Sequence, residues 1–279
     1  MNLAALFAAA ETAETVGKPF HTPEAGHLFN FEPLFCIGGE VDGFSCTAGL
    51  PVTYPTIIMF TITALLGLFF WRAFAKPRLV PTGAQNVAEV GIEFVRTQIA
   101  QPVLGPLGAA WTPFLTTMFF WVLFMNVMGI IPGVQFPITS RMAYPALLAG
   151  IVWLIYNFIG IKNQGFFGYF GGIMFPPGVP KPIYLLLAPI EFISTILVRP
   201  LTLAVRLFAN MVAGHLILAV LFIGTAVFFA SGIGKATFVL PLAFATIMTG
   251  FEIFVAAMQA FIITILTAVY IQGAQEAHH

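Results

Sequence analysis

Charged residues are scarce in this sequence. Only 8% of its 279 residues are Asp, Glu, Lys or Arg, whereas a soluble domain carries roughly 25%. Too few charges are therefore present to cover a water-facing surface. The 11 basic and 11 acidic residues also cancel, so the chain lacks the positive field that nucleic-acid binding requires.

Motifs that bind metals, phosphates or acyl groups are missing as well. The sequence contains no Gly-x-x-x-x-Gly-Lys-Ser/Thr string, no serine nucleophile elbow and no metal-spaced Cys/His cluster. We therefore expect no cofactor, no metal site and no catalytic residue for nucleotide chemistry in this chain. The two cysteines, Cys36 and Cys46, are ten residues apart, which leaves open whether they form a disulfide.

Hydrophobic residues, in contrast, are abundant and come in long blocks. They make up 59% of the chain, and its mean hydropathy is +0.96. A helix that crosses the roughly 30 Å hydrocarbon core of a bilayer needs about 20 apolar residues. Blocks near that length predict an all-α integral membrane protein with several spans. They cover residues 55–70, 114–131, 143–161, 183–198, 207–230 and 238–271.

The chain divides into a predicted tail and a membrane domain. Residues 1–50, rich in Gly, Pro and Glu, form the tail, and residues 51–279 form the membrane domain. Between the first two spans, residues 82–101 mix apolar residues with Glu and Arg. This pattern is typical of an amphipathic helix on the cytoplasmic surface, the alternative being a helix in a soluble loop. Conventional spans are predicted at residues 55–71, 111–131 and 142–161, and a Gly/Pro-rich loop at residues 163–182.

Basic residues predict the orientation of the spans. Lys and Arg near span ends mark the cytoplasmic side of a membrane, and three of them follow the first span directly. We therefore expect the N-terminal tail to lie outside the cytoplasm. The inside loops then contain Arg72, Lys76, Arg78, Arg96, Lys162 and Lys181, and the outside segments contain Lys18, Arg141 and Lys235.

The last third of the sequence is too long for simple spans. As one helix at about 1.5 Å per residue, residues 183–230 would measure roughly 70 Å, more than twice the hydrocarbon core. Residues 238–272 would measure about 50 Å on the same basis. The first stretch therefore either breaks into two spans near Pro189 or Pro200, or tilts strongly in the membrane. Hydropathy leaves both alternatives open.

Ionisable residues lie inside these last apolar stretches, where each costs about 2.5–3.5 kcal/mol at the bilayer centre. Such residues are retained where they face water, a partner or a transported ion. For two of them, Glu191 and Arg199, the alternative is a structural ion pair or snorkelling near a helix end. The set comprises Glu191, Arg199, Arg206, His215 and Glu252, with Asn210 and Gln259 as polar neighbours.

Helical spacing predicts two levels of polar side chains in the last two helices, which run antiparallel. The level near mid-membrane contains Arg206, Asn210 and Gln259, and the level nearer the outside contains His215 and Glu252. Histidine titrates near neutral pH, so a His–Glu pair in a wet cleft can relay protons. Arginine keeps its proton at any physiological pH, so we expect Arg206 to act as a fixed positive charge.

Four strings in the membrane domain resemble motifs of a known family. They are Arg206-Leu-Phe-Ala-Asn-Met-Val-Ala-Gly-His215, the preceding Pro200-Leu-Thr-Leu-Ala-Val, Asn126-Val-Met-Gly-Ile-Ile-Pro132, and Gln259-Ala-Phe-Ile-Ile-Thr-Ile-Leu-Thr-Ala-Val-Tyr270. The family that they resemble is subunit a of the F-type ATP synthase, the stator half of a rotary proton motor. The resemblance extends along most of the chain, but residues 1–50 carry little of it.

This resemblance implies an architecture and a setting. Residues at about 183–275 would form a long tilted hairpin of two helices against a rotating ring of c subunits. Expected partners are that ring, the b subunits of the peripheral stalk, the other ATP synthase subunits and lipid, with protons as the transported ion. The chain would be a non-catalytic subunit of the proton-transporting ATPase. It would cross a bacterial inner (plasma) membrane several times, with its C-terminus in the cytoplasm.

The resemblance also implies roles for single residues. Arg206 matches the arginine that attracts the ring's ionised carboxylate and separates two offset aqueous half-channels. His215 and Glu252 match the pair in the outer half-channel, and Asn210 and Gln259 match the polar neighbours of the arginine. Further candidates for the lining of the half-channels are Glu191, Thr202 and Asn126.

Two other classes of protein compete with this interpretation. A stand-alone ion-coupled secondary transporter would show internal repeats or paired broken helices, and the sequence contains no convincing repeat. A purely structural subunit of a respiratory complex would leave the charges of Arg206, His215 and Glu252 unexplained. Both alternatives therefore account for less of the sequence than the proton-motor interpretation does.

Overall fold

The protein is mainly helical in the computed structural model, which describes residues 33–38, 41–42, 45–46, 50–131, 141–174, 183–230 and 239–275. The helices are α1 (Tyr54–Phe74), α2 (Ala84–Val95), α3 (Gly108–Val127), α4 (Ala143–Gln164), α5 (Phe166–Met174), α6 (Tyr184–Ile193), α7 (Arg199–Ala230) and α8 (Val239–Gln275). Short π-helical turns follow α2 and α6, at Arg96–Ala100 and Ser194–Val198, and two short helical segments, Gln101–Leu104 and Gly105–Leu107, lead into α3.

The described part of the tail forms two small antiparallel strand pairs. β1 (Phe35–Ile37) pairs with β4 (Leu50–Val52), and between them β2 (Val41–Asp42) pairs with β3 (Ser45–Cys46). Cys36 is disulfide-bonded, and the chain's other cysteine is Cys46. Spacing alone left this disulfide open, because it does not reveal how the chain turns between the cysteines. Residues 1–32 of the predicted tail lie outside the described residues.

Five helical stretches among the described residues are long and apolar enough to cross a membrane. Much of their surface points away from the interior of the chain. In α1, only 11% of an apolar 18-residue window is buried inside the chain. Such surface faces lipid or other subunits, so the prediction of an all-α membrane protein is confirmed. The stretches are Tyr54–Phe74, Ala84–Val127, Ala143–Gln164, Leu186–Thr225 and Val239–Gln275.

The chain clusters into two compact units, of which the first contains Met1–Leu68, Trp121–Arg141 and Ala209–Met258. Side-chain hydrogen bonds join distant segments within this unit. Trp121 Nε1 donates to Thr63 Oγ1 at 3.0 Å, and Arg141 Nη1 donates to Thr53 Oγ1, just before α1, at 3.3 Å. Polar contacts therefore connect α1 with segments more than 50 residues away in sequence.

The second unit contains Phe69–Phe120, Met142–Phe208 and Gln259–His279. Its core includes fully buried aliphatic side chains from these three segments. The centre of the Phe94 ring lies 5.7 Å from the centre of the Phe119 ring and 6.5 Å from that of the Phe261 ring. Residues 84–95 form a helix as predicted, whereas its position on a membrane surface stays a prediction. The fully buried side chains include Val95, Ile99, Leu115, Ile263 and Ile271.

A sharp turn separates α2 from α3 within the second unit. Gly105 has a φ of 54°, a conformation that residues with a Cβ rarely adopt. Three residues later, a Cβ on Gly108 would lie 2.6 Å from the carbonyl oxygen of Ala100. Two glycines therefore let the chain turn tightly, and the 44-residue apolar stretch contains two helices instead of one.

The helix of the last third continues through both of its prolines. Helical residues extend without interruption from Leu186 to Thr225, over 40 residues. This finding removes the alternative in which the stretch breaks into two spans near Pro189 or Pro200. The other alternative, a strong tilt in the membrane, stays a prediction.

Two side chains of α4 replace the hydrogen bond that Pro200 cannot donate. The turn before Pro200 is π-helical, and its carbonyl oxygens at Thr195 and Ile196 lie opposite the missing N–H. Tyr156 Oη donates to the Thr195 carbonyl at 2.8 Å, and Trp153 Nε1 donates to the Ile196 carbonyl at 2.9 Å. Side-chain donors thus satisfy backbone groups that would otherwise lack partners in the membrane.

Two predicted boundaries were wrong. The residues of α5 were assigned to a loop because glycines interrupt their pattern, but Tyr169 packs so closely on Gly160 of α4 that no side chain fits at position 160.

The second span was predicted to reach residue 131, but α3 ends at Val127. The N–H of Gly129 bonds to the Asn126 carbonyl at 3.2 Å in the following turn. Pro132 lies outside the described residues.

Replacing the phenol donor is expected to destabilise the helix at Pro200. Tyr156→Phe leaves the buried Thr195 carbonyl without its donor, which we expect to lower the free energy of unfolding by about 1–3 kcal/mol. Unfolding of the purified chain in mixed detergent micelles, followed by circular dichroism, measures this loss. Pro200→Ala restores a backbone N–H, so Tyr156→Phe should cost less in the Pro200→Ala background. Equal costs in both backgrounds would contradict this explanation.

Candidate functional site

A small cavity that contains a few polar side chains lies in the first unit among α3, α7 and α8. Its volume is about 130 Å³, and most of its lining is apolar. Two ionisable side chains, His215 of α7 and Glu252 of α8, line it together with the amides of Asn126 and Asn210. Four residues singled out from the sequence thus meet in one place, although Asn210 was predicted to lie at a different level from His215 and Glu252.

Glu252 fits into this cavity because residue 214 has no side chain. A Cβ on Gly214 would lie 2.6 Å from Glu252 Oε1. That oxygen is buried and has no hydrogen-bond partner in the part of the chain that the structure describes. Since an unpartnered buried carboxylate oxygen is costly, we expect a water molecule or another hydrogen-bond donor to serve it.

His215 follows Gly214 directly and is half-buried. An imidazole can accept a proton on one nitrogen while it donates from the other. Together with the carboxyl group of Glu252, it provides two proton-exchanging groups in one cavity inside membrane-crossing helices. Sequence reasoning identified both groups but missed Gly214, whose importance depends on the close approach of α8.

Arg206 lies on the surface of α7. Its side chain is exposed, and the ion pairs found among the described residues do not include it. The neighbouring side chains Leu201 and Val205 are also exposed, at 51% and 43%. A cation within a membrane helix is retained where it faces water, a partner or an anion, and the ion pairs of the described residues supply no anion for Arg206.

Gln259, a predicted polar neighbour of Arg206, and Thr202, a predicted lining residue of a half-channel, have different environments. Gln259 is buried in the second unit, at 5% exposure, and its Nε2 has no hydrogen-bond partner among the described residues. Thr202 is exposed and donates to the carbonyl oxygens of Val198 and Arg199, at 2.8 Å and 3.1 Å. Its hydroxyl is therefore used within its own helix.

A separate cavity of about 260 Å³ lies in the second unit and contains an ion pair. Arg199 Nη2 is 3.6 Å from Glu191 Oε1, and both side chains are about one third exposed. The guanidinium also lies 5.5 Å from the centre of the Tyr270 ring, a cation–π arrangement. The ion pair anticipated for these two residues is thus present, and it faces a cavity.

Tyrosines complete the lining of this second cavity. Tyr156 and Tyr169 line it together with Tyr270, and Tyr169 Oη donates to Asn157 Oδ1 at 3.3 Å. Burial raises the pKa of Tyr169, so this phenol remains a hydrogen-bond donor. Sequence reasoning missed the cluster because its members lie more than 10 residues apart on different helices, with no shared motif.

Known proteins are similar in sequence to this chain over most of its length. The family model described as ATP synthase A chain matches residues 56–272. ATP synthase subunit a of Frankia alni is 47% identical over 220 residues, which cover 77% of this chain and 75% of that protein. The subunit a of Streptomyces lividans is 40% identical, with 91% and 87% covered. That of Magnetococcus marinus is 38% identical, with both chains covered completely.

These matches include all three helices that carry the ionisable residues described above. The range that the family model matches contains the string from Arg206 to His215, as well as Glu252 and Gln259. Relatives at 36–47% identity align over most of the chain. The chain therefore belongs to the ATP synthase subunit a family.

Proposed function

We propose that this chain is the proton-conducting stator subunit of an F-type ATP synthase in a bacterial plasma membrane. The observation that carries the proposal is Arg206, an exposed cation on a membrane helix with no ion-pair partner among the described residues. Its partner is then an anion of another subunit, namely the carboxylate of a ring of c subunits. Membership of the ATP synthase subunit a family supports the same assignment.

The cavity of His215 and Glu252 is the proposed outer half-channel. Protons enter from outside and pass through water, the imidazole and the carboxyl group, with Asn126 and Asn210 as polar lining. A ring carboxylate beside this cavity takes up a proton. The neutral acid can then face lipid at a far lower cost than the ionised form, so the ring can rotate.

Arg206 is proposed to separate proton entry from proton exit. Its fixed charge favours the ionised form of a neighbouring ring carboxylate and repels a proton that moves directly between the half-channels. Each ring site therefore loses its proton before it passes Arg206. One charge that crosses 100 mV yields about 2.3 kcal/mol, so several protons are needed for each ATP.

The cavity of Glu191 and Arg199 is the proposed inner half-channel. The Glu191 carboxylate and water in this cavity can pass protons along hydrogen bonds. Gln259 is assigned as a polar neighbour of Arg206 and Thr202 as a lining residue of a half-channel, and both lie in the same unit as Arg206 and Glu191. This assignment rests on the lining of the cavity and on family membership.

The exposed faces of α7 and α8 supply the proposed contact with the ring. Apolar side chains surround Arg206 on α7, and a similar stripe of Phe244, Ile247 and Phe251 is exposed on α8. We assign residues 183–275 to a tilted hairpin against the ring, α2 to the cytoplasmic surface, and the b subunits to the periphery. The tail of residues 1–50 is placed outside and the C-terminus in the cytoplasm.

A stand-alone secondary transporter finds no support. The relatives that align with this chain from end to end carry the name ATP synthase subunit a. An exposed arginine without an internal counter-ion also suits a protein whose ion site lies in a partner. A self-contained transporter would enclose its ion site between its own helices.

Removing the charge of Arg206 is expected to abolish pumping without preventing assembly. In liposomes that contain the whole complex, Arg206→Ala should reduce ATP-driven proton uptake to background. When the catalytic head is stripped away, passive proton leak should rise, because no fixed charge blocks direct transfer. Fluorescent pH indicators measure both quantities.

Val205→Ala is the matched control, since it alters the exposed surface beside Arg206 without changing any charge. We expect this variant to keep most of the pumping activity and a low leak. Normal pumping by Arg206→Ala would refute the proposed mechanism and leave that arginine a structural role.

Filling the space beside Glu252 is expected to slow proton entry. Gly214→Ala places a methyl group 2.6 Å from Glu252 Oε1, so the carboxyl group must move. Because the position of a proton-exchanging group affects the rate strongly, moving this carboxyl group should lower the pumping rate by about 10- to 100-fold. The rate is measured at equal amounts of assembled complex. Gly224→Ala, on the same helix, meets no atom within 4 Å and should keep the normal rate. Equal rates for both variants would count against the assigned role of Glu252.

A further inference from the structure

Two apolar side chains of the tail, Leu34 and Phe35, are exposed and take no part in the proposed proton route. Leu34 directly precedes β1, Phe35 begins it, and the two residues are exposed at 58% and 51%. We call β1 and β4, together with Leu34, the tail strand pair. Because apolar surface is removed from water wherever a less polar environment is within reach, the level of these side chains in the membrane is informative.

A short connection joins the tail strand pair to α1. The N–H of Leu34 donates to the Val52 carbonyl at 2.9 Å, and Phe35 lies opposite Val52 in the strand register. Only Thr53 separates Val52 from Tyr54, the first residue of α1. Since two residues span at most about 7 Å, the depth of Val52 in the membrane differs from that of Tyr54 by no more than this distance.

The length of α1 places Tyr54 at the boundary of the hydrocarbon core. Arg72 lies in the last turn of α1, and its charge belongs outside the hydrocarbon. From Tyr54 to Arg72 the helix rises about 27 Å, slightly less than the roughly 30 Å thickness of the core. A tilt would shorten this span further. Tyr54 therefore cannot project far beyond the core at the other end.

The headgroup layer begins at this boundary. It is about 5–7 Å thick on each side, since a bilayer measures about 40–45 Å with both layers included. Val52 therefore lies within the layer. The Cα atom of Phe35 is about 5 Å from that of its strand partner, which places Phe35 in the layer or at its edge.

A two-stranded sheet suits the headgroup layer and no deeper level. β1 and β4 form a sheet of two strands, so each strand has an outer edge with backbone groups that the partner strand does not serve. Such edges are excluded from the hydrocarbon core but are satisfied where water is present. Leucine and phenylalanine side chains can bury in the boundary between headgroups and acyl chains while the backbone stays hydrated.

Exposure of apolar side chains continues along the chain into α1. Tyr54, Ile57 and Phe60 are exposed at 42%, 39% and 64%, and an aromatic residue such as Tyr54 is typical of the interface between membrane and water. The apolar surface of the tail strand pair is thus continuous in sequence with that of a membrane-crossing helix. Phospholipid is therefore the occupant that fits both segments.

We propose that the tail strand pair is an anchor in the headgroup layer of the leaflet in which α1 begins. The side chains of Leu34 and Phe35 are buried among the glycerol groups and the upper acyl carbons of phospholipids. The anchor fixes the depth at which α1 begins. It depends on no step of the proposed proton route, and it holds for either orientation of the chain in the membrane.

Photoreactive phospholipids measure the depth of the tail strand pair in the intact complex that contains this chain. The complex is reconstituted in liposomes of phosphatidylglycerol with a probe lipid, whose diazirine lies either beside the glycerol or at the middle of an acyl chain. Mass spectrometry identifies the labelled peptides. We expect the glycerol-side probe to label the peptide that contains Leu34 and Phe35. The mid-chain probe should instead label the peptide of Phe60, about 9 Å deeper than Tyr54.

Two double variants test whether the apolar side chains hold the anchor in place. Leu34→Ser with Phe35→Ser should lower labelling of the tail peptide by the glycerol-side probe about threefold, because buried apolar area drives binding at the interface. The matched control is Leu79→Ser with Val80→Ser, an adjacent apolar pair outside the tail that is exposed at 105% and 75%. This control should leave labelling of the tail peptide unchanged. ATP-driven pumping checks that each complex is assembled.

Three results would overturn the proposal. A tail peptide without label would place the strand pair in water or beneath another subunit. Equal labelling of that peptide by both probes would mean that it has no defined depth. Equal labelling of the native chain and of the variant at Leu34 and Phe35 would mean that the connection to α1, and not these side chains, keeps the strand pair near lipid.

Discussion

The interior of a bilayer contains no water to hydrogen-bond a peptide group or to hydrate a charge, and the described helices are organised around this constraint. Threonines bond to carbonyl oxygens of their own helices, for example Thr264 and Thr267 in α8. Tyr156 and Trp153 serve the carbonyl oxygens before Pro200. The few described polar or charged side chains without a hydrogen-bond or ion-pair partner therefore mark the places where water or another molecule binds.

Those unpartnered groups differ in chemistry, and the difference separates their roles. Glu252 carries a buried oxygen that can exchange a proton with water in its cavity. Arg206 carries a permanent charge on an outer surface, where it can attract or repel but cannot relay.

Local patterns predicted much of the fold and of the candidate site. Apolar blocks predicted α1, α3 and α4 because the length of a span follows from membrane thickness. Charges inside the apolar stretches of the last third identified Arg206 and Glu252, because the cost of a charge at the bilayer centre is visible in the sequence itself. Contacts between distant helices could not be predicted in this way. The tyrosine-lined cavity, the space left by Gly214 and the continuity through Pro200 all depend on which helix packs against which residue.

The π-helical turn at Ser194–Val198 sets the rotational phase of the helix on its two sides. In a regular α-helix, residues eight positions apart, such as Glu191 and Arg199, point about 80° apart. The wider turn accommodates one residue more than an α-helical turn and so reduces that angle, which lets the two side chains approach to 3.6 Å. If the same residues wound as a regular α-helix, Glu191 would point about 80° away from Arg199. The pairing of these two charges therefore depends on the segment keeping its π-helical winding.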